Sequence, residues 1–349
     1  MLGVARDVRR RDRLVRRVRL ALVPLRVQHV HGPRSMRCAA TDLIALSVVK
    51  DGELHIRSFL EHHFALGVAH VVILLNDSND RTEEIAAQYE RVTILRCSWP
   101  YRLYEVPMKR YLVRRFANRR WSLFVDVDEL FDYPGRDRVS LRQLVEYLDA
   151  HRYTAVVAHM LDMFSDGPLA CVRSAPEDRL WEHHRRYDIS MIDRQLYRWS
   201  ALSEPAVKLY VGGIRLAAFG TRNWLTKAPL VKAVSGVVPF VEWHQVHGAQ
   251  IADFTGLLLH YPFVEGFASK VDEAVAARRY TSAGDEYLRY AQVLKSRSEL
   301  VLSRSPSLQL DSIDQLVESG FLVVGPGYSA FSAKSPPASD GGSLAKRHV

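Results

Sequence analysis

Apolar and polar residues alternate along the first third of the chain in blocks that predict strands and helices in turn. Short uninterrupted apolar runs predict buried strands, and apolar residues spaced three or four positions apart predict helices. The predicted strands are Leu43–Val49, Val68–Leu75, Val92–Arg96 and Trp121–Val125, and the predicted helices are Glu53–Leu66, Asp80–Tyr89 and Val106–Asn118. Strands that alternate with helices and are apolar on both faces predict an α/β fold with a covered, largely parallel sheet.

The pattern is less regular after Leu141. We expect a helix near Leu141–Ala150, a strand near Thr154–Met160, and helices near Gly266–Tyr280 and Glu286–Ser296 that form a C-terminal helical elaboration. Residues 331–349 are rich in Ser, Pro and Gly, which predicts a disordered tail. The main domain is therefore expected at residues 41–330.

The formal net charge of +9 belongs to one segment of the chain. Residues 1–40 contain 11 Arg, no Lys and two Asp, whereas the remaining residues carry 37 basic and 37 acidic side chains. This leader is expected to be a disordered arm or a basic amphipathic helix that contacts an anionic membrane surface, with a cleaved transit peptide as a further alternative. Because the rest of the chain is neutral, we expect no nucleic acid among its partners.

Cysteine usage and hydropathy indicate the compartment. Cys38, Cys97 and Cys171 are too few and too scattered for a disulfide framework. No apolar run approaches the roughly 18–20 residues that cross a bilayer. We therefore expect a cytoplasmic protein, located at the inner face of the membrane if the leader binds lipid.

Two carboxylates directly follow the fourth predicted strand. Asp126 and Asp128 are separated by one residue and lie between apolar segments, so we expect them at the carboxyl end of a buried strand, where α/β sheets bind ligands. Buried charges without partners would cost several kcal/mol. Paired carboxylates in this position can hold Mn²⁺ or Mg²⁺, whose open positions bind a diphosphate. A structural acidic turn is the alternative.

Two stretches of the chain resemble a known enzyme family. The segment VVKDGELHIRSFLEHHFALGVAHVVILLNDSNDRTEEI, followed by SLFVDVDEL, resembles the family 2-like and family 92-like bacterial glycosyltransferases of GT-A fold, and LTKAPLVK with HGAQIADFTGLLLHYPF is similar to a later part of the same group. The resemblance implies a Rossmann-like mixed sheet of the nucleotide-diphospho-sugar transferase type. It places the donor-binding part at about 41–135 and the acceptor and metal part at about 136–300. Asp51-Gly52 stands where the family tends to have Asn-Glu, and Leu75 replaces its usual Asp.

The same resemblance implies roles for individual residues. Asp126 is expected near the ribose or the metal, Asp128 as a direct metal ligand, and Glu129 as a group that orients its neighbours. His260 is expected as a further metal ligand, with His247 as the competing candidate. The residues expected to bind the donor are Asp51, Asn76, Ser78, Asp80, Asp126, Lys227 and Lys232. Capping of its helix is the alternative role for Asp80, and Lys109 and Arg110 are alternative diphosphate contacts.

An inverting transfer needs a carboxylate that takes the proton of the acceptor hydroxyl, which contributes typically about 10²–10⁴-fold. Asp162 is the expected base because it follows a predicted strand and would face the acceptor, and Asp166 and Asp253 are alternatives. Aromatic residues are dense between 180 and 245, where they would stack on acceptor sugars or, for most of them, pack in the core. They are Trp181, Tyr187, Tyr197, Trp199, Trp224 and Trp243.

These features predict a metal-dependent glycosyltransferase. It would move a sugar from a nucleotide-diphosphate donor, expected to be UDP-linked, to a glycan or lipid-linked acceptor with inversion. Two alternatives stay open. One is a phosphatase of the haloacid dehalogenase type with Asp126 as nucleophile, and the other is a non-catalytic binding protein that acts through its Arg-rich leader.

Overall fold

The computed structural model describes residue 15 and residues 17–36, 38–241, 244–276 and 284–335. The strands are β1 Val27–His31, β2 Ile44–Val49, β3 His70–Leu75, β4 Val92–Cys97, β5 Trp121–Phe124, β6 Glu129–Asp132, β7 Ala155–Asp162, β8 Arg186–Tyr187, β9 Ile192–Leu196, β10 Ala201–Leu202, β11 Lys208–Gly212, β12 Thr226–Lys232, β13 Val238–Val241, β14 Gln245–His247, β15 Gln250–His260 and β16 Leu308–Gln309. The α-helices are α1 Glu53–Leu66, α2 Thr82–Ala86, α3 Tyr101–Phe116, α4 Leu141–Ala150, α5 Leu180–His183, α6 Ile214–Phe219, α7 Phe267–Ala276, α8 Gly284–Ser296, α9 Asp314–Glu318 and α10 Pro326–Lys334. Short 3₁₀ helices lie at Val23–Arg26 and Leu169–Cys171.

A ten-stranded mixed sheet forms the centre of the fold, in the order β1-β4-β3-β2-β5-β12-β7-β15-β10, with β6 paired to β15. The four strands β4, β3, β2 and β5 are parallel. β12 lies antiparallel between β5 and β7, whereas β7 and β15 are parallel. The mixed character of the sheet therefore comes from the second half of the chain and from the edge strand β1, which is antiparallel to β4.

Alternate residues of the central strands enter two separate cores. Ile73 packs with Phe59 of α1 in one core, and its neighbour Val72 packs with Met108 of α3 in the other. Helices thus cover both faces, which is why apolar residues of these strands point to both sides of the sheet. The predicted fold class, an α/β mixed sheet with helices on both faces and further helices at the C-terminal end, is confirmed.

Several predicted boundaries agree with the structure and others do not. α1 and α4 have the predicted bounds, and Gly67 ends α1 with a φ of 105°, a left-handed conformation that costs glycine little. α2 is shorter than predicted. α3 begins at Tyr101 rather than Val106 and includes Pro107 in its interior, although proline favours the first helical turn.

Both ends of the folded domain extend beyond the predicted boundaries. Val23 is fully buried and β1 pairs with β4 at the sheet edge, so the domain begins before residue 41. At the other end α10 continues through Lys334, past the predicted start of the tail at residue 331, because Phe331 packs on Tyr147. The remaining tail residues, 336–349, and leader residues 1–14 lie outside the described residues. None of the helices in the described ranges has the length and apolar character needed to span a membrane.

Candidate functional site

The ends of five strands bring polar residues together at one edge of the sheet. β5 ends just before Asp126, and β6 begins at Glu129. β7 and β15 run parallel and end at Asp162 and His260, which are paired in register, while His260 also pairs with Glu129. β12 is antiparallel to β5, so its first residues, including Lys227, lie at the same edge. Residues from distant parts of the sequence meet here because of strand order and direction.

A cavity of about 1100 Å³ opens at this edge. One wall consists of the ends of β2 and β3 and the start of α3, including Lys50, Asn76 and Tyr101. Residues 126–129 line its centre, and the opposite wall comes from residues 220–224 and helices α7 and α8. The volume is in the range of pockets that hold small molecules and cofactors.

Lys227 is the centre of a buried charge cluster. Its Nζ donates to Asp126 Oδ2 at 2.7 Å and to Glu129 Oε1 at 2.5 Å. Lys109 Nζ lies 3.9 Å from the other oxygen of Asp126 and 3.0 Å from His244 Nε2. Glu129 also accepts the backbone N–H of Asp126 at 3.2 Å. Glu129 thus contacts both Lys227 and the backbone of the first acidic residue.

The charges in this cluster stabilise one another. Burial alone would raise the pKa of Asp126, but Lys227 and Lys109 outweigh it and lower this pKa below its usual value. Burial raises the pKa of Glu129 despite the opposing charge of Lys227. Burial would lower the pKa of Lys227, but Asp126 and Glu129 raise it. Asp126 and Lys227 are therefore both charged at neutral pH.

A second chain of contacts begins at Asp128. His260 Nε2 lies 3.5 Å from Asp128 Oδ2, and His260 Nδ1 lies 2.6 Å from Asp162 Oδ1. Arg215 Nε donates to the second oxygen of Asp162 at 2.9 Å. Burial alone would lower the pKa of His260, but the two carboxylates raise it to about 9. The ring is held between Asp162 behind it and Asp128 at the cavity.

Within the described ranges, no group of three or more His, Cys, Asp or Glu side chains is arranged to hold a metal ion. Asp128 and His260 nevertheless offer a carboxylate oxygen and an imidazole nitrogen that face each other. Because Asp162 binds Nδ1, Nε2 is the nitrogen left for a metal. The donor set fits a divalent cation with two protein ligands and further positions for phosphate oxygens and water.

The loop residues predicted to bind the donor hold two loops together. Asp51 and Asp80 accept backbone N–H groups from neighbouring segments at 2.8 and 2.9 Å, and Ser78 Oγ accepts the N–H of Asp51 at 3.0 Å. Asp80 also accepts the N–H of Thr82 at the start of α2, at 3.1 Å. Of the four residues predicted here, Asn76 lines the cavity and the other three do not.

Asp162 is in the predicted position but not in an exposed one. Its side chain is 2% exposed, and its two oxygens contact His260 and Arg215. The predicted role as base is corrected, because both carboxylate oxygens are paired and Asp162 does not line the cavity. The two alternative bases do not line the cavity either. Asp166 is exposed and bonded to Arg186, and Asp253 is buried and accepts a hydrogen bond from Tyr147.

Lys232 lies at the wrong end of its strand for the predicted contact with the diphosphate. It pairs in register with Trp121 at the start of β5 and donates to Asp149 at 2.8 Å. Five residues of strand separate it from Lys227 by about 16 Å, so this prediction is corrected. His247 lies in the β13–β14 hairpin and Arg110 donates to a carbonyl of β13, and neither lines the cavity.

The aromatic residues divide between core and cavity. Trp224 lines the cavity and packs on Trp199 with ring centroids 5.2 Å apart. Trp181, Tyr187 and Tyr197 are buried in the core, and Trp243 lies outside the described residues. Among the described residues of this predicted set, Trp224 is therefore the one that lines the cavity.

The sequence reasoning missed several groups in the second half of the chain. Arg215, His244, Lys270 and Glu286 all line the cavity. Arg215 carries a signal in the sequence, since it is the one charged residue in the apolar helix IRLAAF, and a buried charge requires a partner. The others carry no such signal, because charged and polar residues usually face solvent.

Comparisons with known proteins give only partial similarity. No protein-family model and no curated protein sequence matches the chain. The crystal structure of S. aureus TarS 1-349 is 15% identical with a TM-score of 0.27, over 40% of this chain and 48% of that one. For 4-diphosphocytidyl-2C-methyl-D-erythritol synthase the identity is 11% and the TM-score 0.22, over 36% and 62%.

A nucleotidyl transferase from Methanothermobacter thermautotroptrophicus is 13% identical with a TM-score of 0.21, over 36% of this chain and 63% of that one. The chain thus spans from about half to just under two thirds of the length of these proteins. Similarity at this level identifies no reaction.

Proposed function

We propose that this chain is a metal-dependent glycosyltransferase that moves a sugar from a nucleotide-diphosphate donor to a glycan or lipid-linked acceptor. The observation that carries the proposal is the convergence of Asp126, Asp128, Glu129, Lys227 and His260 at one edge of the sheet, beside the cavity. All five come from the stretches that resemble GT-A glycosyltransferases. A UDP-linked donor and inversion of the anomeric centre follow from that resemblance.

The positive groups of the cavity suit a diphosphate. An ammonium group has three N–H donors, and Lys227 uses two of them on Asp126 and Glu129. The third would donate to a phosphate oxygen in a charge-assisted hydrogen bond. Asp126, held ionised by Lys227, would accept from the ribose hydroxyls. The base would lie along the wall that contains Asn76 and Tyr101.

Asp128 and His260 would hold the divalent cation, Mn²⁺ or Mg²⁺. An imidazole ligand favours a transition-metal ion such as Mn²⁺ over Mg²⁺, which prefers oxygen. When bound, the cation supplies Lewis-acid stabilisation of the negative charge on the leaving diphosphate. Asp162 and Arg215 keep His260 in the required orientation, since they fix its Nδ1 side.

We further propose that the enzyme contacts the inner face of a membrane through a surface formed by residues 17–26 and Leu103, called here the leader surface. Val18, Leu25 and Leu103 are 50%, 76% and 45% exposed in the described part of the chain. Arg19 donates to the carbonyl of Leu103 at 3.2 Å. Tyr101, two residues before Leu103, lines the cavity. Contact with a bilayer would therefore hold this side of the cavity close to the lipid surface.

A donor-binding experiment tests the proposed function. A panel of nucleotide sugars is incubated with the full chain, with and without Mn²⁺, and both binding and released nucleotide are measured. Asp128→Ala should lose metal-dependent binding, whereas Asp137→Ala, which removes a 61% exposed carboxylate from the same region, should bind as the unmodified chain does. The proposal fails if no donor binds, or if both variants behave alike. Asp126-dependent cleavage of phosphate monoesters would favour the phosphatase instead.

A further inference from the structure

We infer that Glu286, on α8, is the catalytic base that takes the proton of the acceptor hydroxyl. The inference rests on the proposed function and names a group of the same site. Asp162 does not fill this role, because both of its oxygens are paired and it does not line the cavity. A base must instead reach the acceptor oxygen directly.

The contacts and positions of the carboxylates around the cavity leave one candidate for the base. Within the described residues, those that line it are Asp77, Glu105, Asp126, Asp128, Glu129 and Glu286. Asp126 and Glu129 are bonded to Lys227, and Asp128 faces His260. Asp77 and Glu105 belong to the wall assigned to the nucleoside. Glu286 is the carboxylate on the opposite wall, which also includes Trp224 and where an acceptor sugar would lie.

The contacts of Glu286 leave one of its oxygens available. Oε1 accepts from the hydroxyl of Tyr290 at 2.5 Å and lies 3.8 Å from Arg215 Nη1. No hydrogen bond from a described residue reaches Oε2. The side chain is 22% exposed, so the carboxylate is oriented by its neighbours but open to the cavity.

The position of Glu286 is fixed relative to the proposed metal ligands. Tyr290 is buried and packs against Phe219 with ring centroids 4.7 Å apart. Arg215 joins Glu286 to Asp162, which in turn binds His260. These contacts set the distance between the base and the cation site through buried groups rather than through a loose loop. Such support is what a catalytic group requires.

The proton transfer balances without a further reactant. The acceptor oxygen forms a bond to the anomeric carbon while its proton passes to Glu286 Oε2. The bond from that carbon to the diphosphate oxygen breaks, and its electron pair leaves with the nucleoside diphosphate. The protonated carboxyl group then releases its proton to water. Inversion requires the acceptor oxygen to attack the anomeric carbon from the side opposite the diphosphate, and Glu286 would take its proton there.

Glu286→Gln tests this role because it retains the shape and the oxygen that accepts from Tyr290. We expect its donor affinity to stay within about twofold of the unmodified chain and its turnover, by transfer or by donor hydrolysis, to fall about 10²–10⁴-fold. Formate added to Glu286→Ala should restore part of the turnover, because a small acid can replace the missing base. Glu273→Gln, an exposed carboxylate on α7, serves as the matched control and should keep full turnover.

The results of these experiments distinguish failure of the base assignment from failure of the proposed function. Turnover by Glu286→Gln within about threefold of the unmodified chain overturns the assignment of the base and leaves the proposed function intact. Loss of donor binding and thermal stability together with turnover, without rescue by formate, would show a structural role and also overturns it. An unmodified chain that releases no nucleotide from any donor overturns the proposed function and this inference with it.

Discussion

At the scale of single residues, the positive charge of Lys227 compensates the acidic groups Asp126 and Glu129. Glu129 is 1% exposed and has Lys227 as its cationic partner at 2.5 Å. We expect Lys227→Met to lower the free energy of unfolding by about 3–5 kcal/mol, because it leaves a buried carboxylate without compensation. Urea unfolding at neutral pH measures this change.

The chain offers a matched control for Lys227. Lys232 is on the same strand and also contacts a carboxylate, but its side chain is 28% exposed, so Lys232→Met should cost about 1 kcal/mol or less. The double variant Lys227→Met with Glu129→Gln should recover most of the stability but not the donor affinity. Equal losses for the two lysines would contradict the charge balance described here.

His159 makes the fold sensitive to acid. It is fully buried and stacks on Tyr210 with ring centroids 3.8 Å apart, and burial lowers its pKa to about 3. An unfolded histidine has a pKa of about 6.5. At pH values between these two pKa values, the unfolded chain binds a proton that the folded chain does not. The free energy of unfolding is therefore unaffected by His159 above about pH 6.5 and decreases as the pH falls below it.

His159→Phe should reduce this loss. The substituted ring keeps its contacts with Tyr210 and Phe321 but no longer titrates. The free energy of unfolding is measured at about pH 7 and about pH 4.5, where the difference should be smaller for the variant. Part of the slope should remain, because burial also lowers the pKa of His55 and His63 to about 4. An unchanged difference would show that His159 is protonated in the folded state.

At the scale of elements, Asp253 joins three of them. It lies on β15 and accepts the hydroxyl of Tyr147 on α4 at 2.9 Å and the N–H of Tyr328 on α10 at 2.9 Å. Asp253→Ala should lower the free energy of unfolding by about 2–4 kcal/mol, since two buried donors lose a charged acceptor. Turnover per folded molecule should be unchanged, in contrast to Glu286→Gln. Lost turnover with unchanged stability would make Asp253 a base candidate again.

The elements that the sequence pattern predicts well are those whose ends carry local signals. α4 begins at Ser140, whose side chain and that of Gln143 form a capping box, and α1 ends at Gly67. The strand β12 illustrates the limit. Its position between β5 and β7 depends on contacts with residues about 70 to 110 positions away, and no local pattern specifies a strand's partners.

At the scale of the whole molecule, the same limit explains which site residues could be found. Asp126, Asp128 and His260 belong to motifs, so the family resemblance alone assigns them to one site. Lys227 and Lys232 are near neighbours in sequence, yet strand geometry sends them to opposite edges of the sheet. Asp162 is predicted at the correct strand end, but its contact with Arg215 depends on the tertiary fold. In the sequence, nothing distinguishes Glu286 from other charged residues on helices. Its position at the cavity is a property of the tertiary fold.

At this scale, the uneven distribution of charge along the chain predicts contact with an anionic lipid surface. No Asp or Glu occurs between Asp12 and Asp42, a segment that contains seven Arg, and exposed apolar side chains lie among them on the leader surface. Arginine attracts anionic lipid headgroups, and apolar side chains enter the interface. Nucleic acid would be attracted by the charge but would gain little from Leu25.

Vesicle flotation with the full chain distinguishes these partners. We expect binding to vesicles that contain anionic lipid, weaker binding to zwitterionic vesicles, and a roughly tenfold or greater loss for Leu25→Asp, because burial of a leucine contributes about 1.5–3 kcal/mol. Leu196→Asp makes the same change at a 59% exposed leucine on β9 and should bind normally. Equal binding by the two variants, or tighter binding to an oligonucleotide than to anionic vesicles, would reject the leader surface as a membrane contact. Since no donor is present in this assay, the result is independent of catalysis and tests whether the cavity mouth beside Tyr101 is held at a lipid surface.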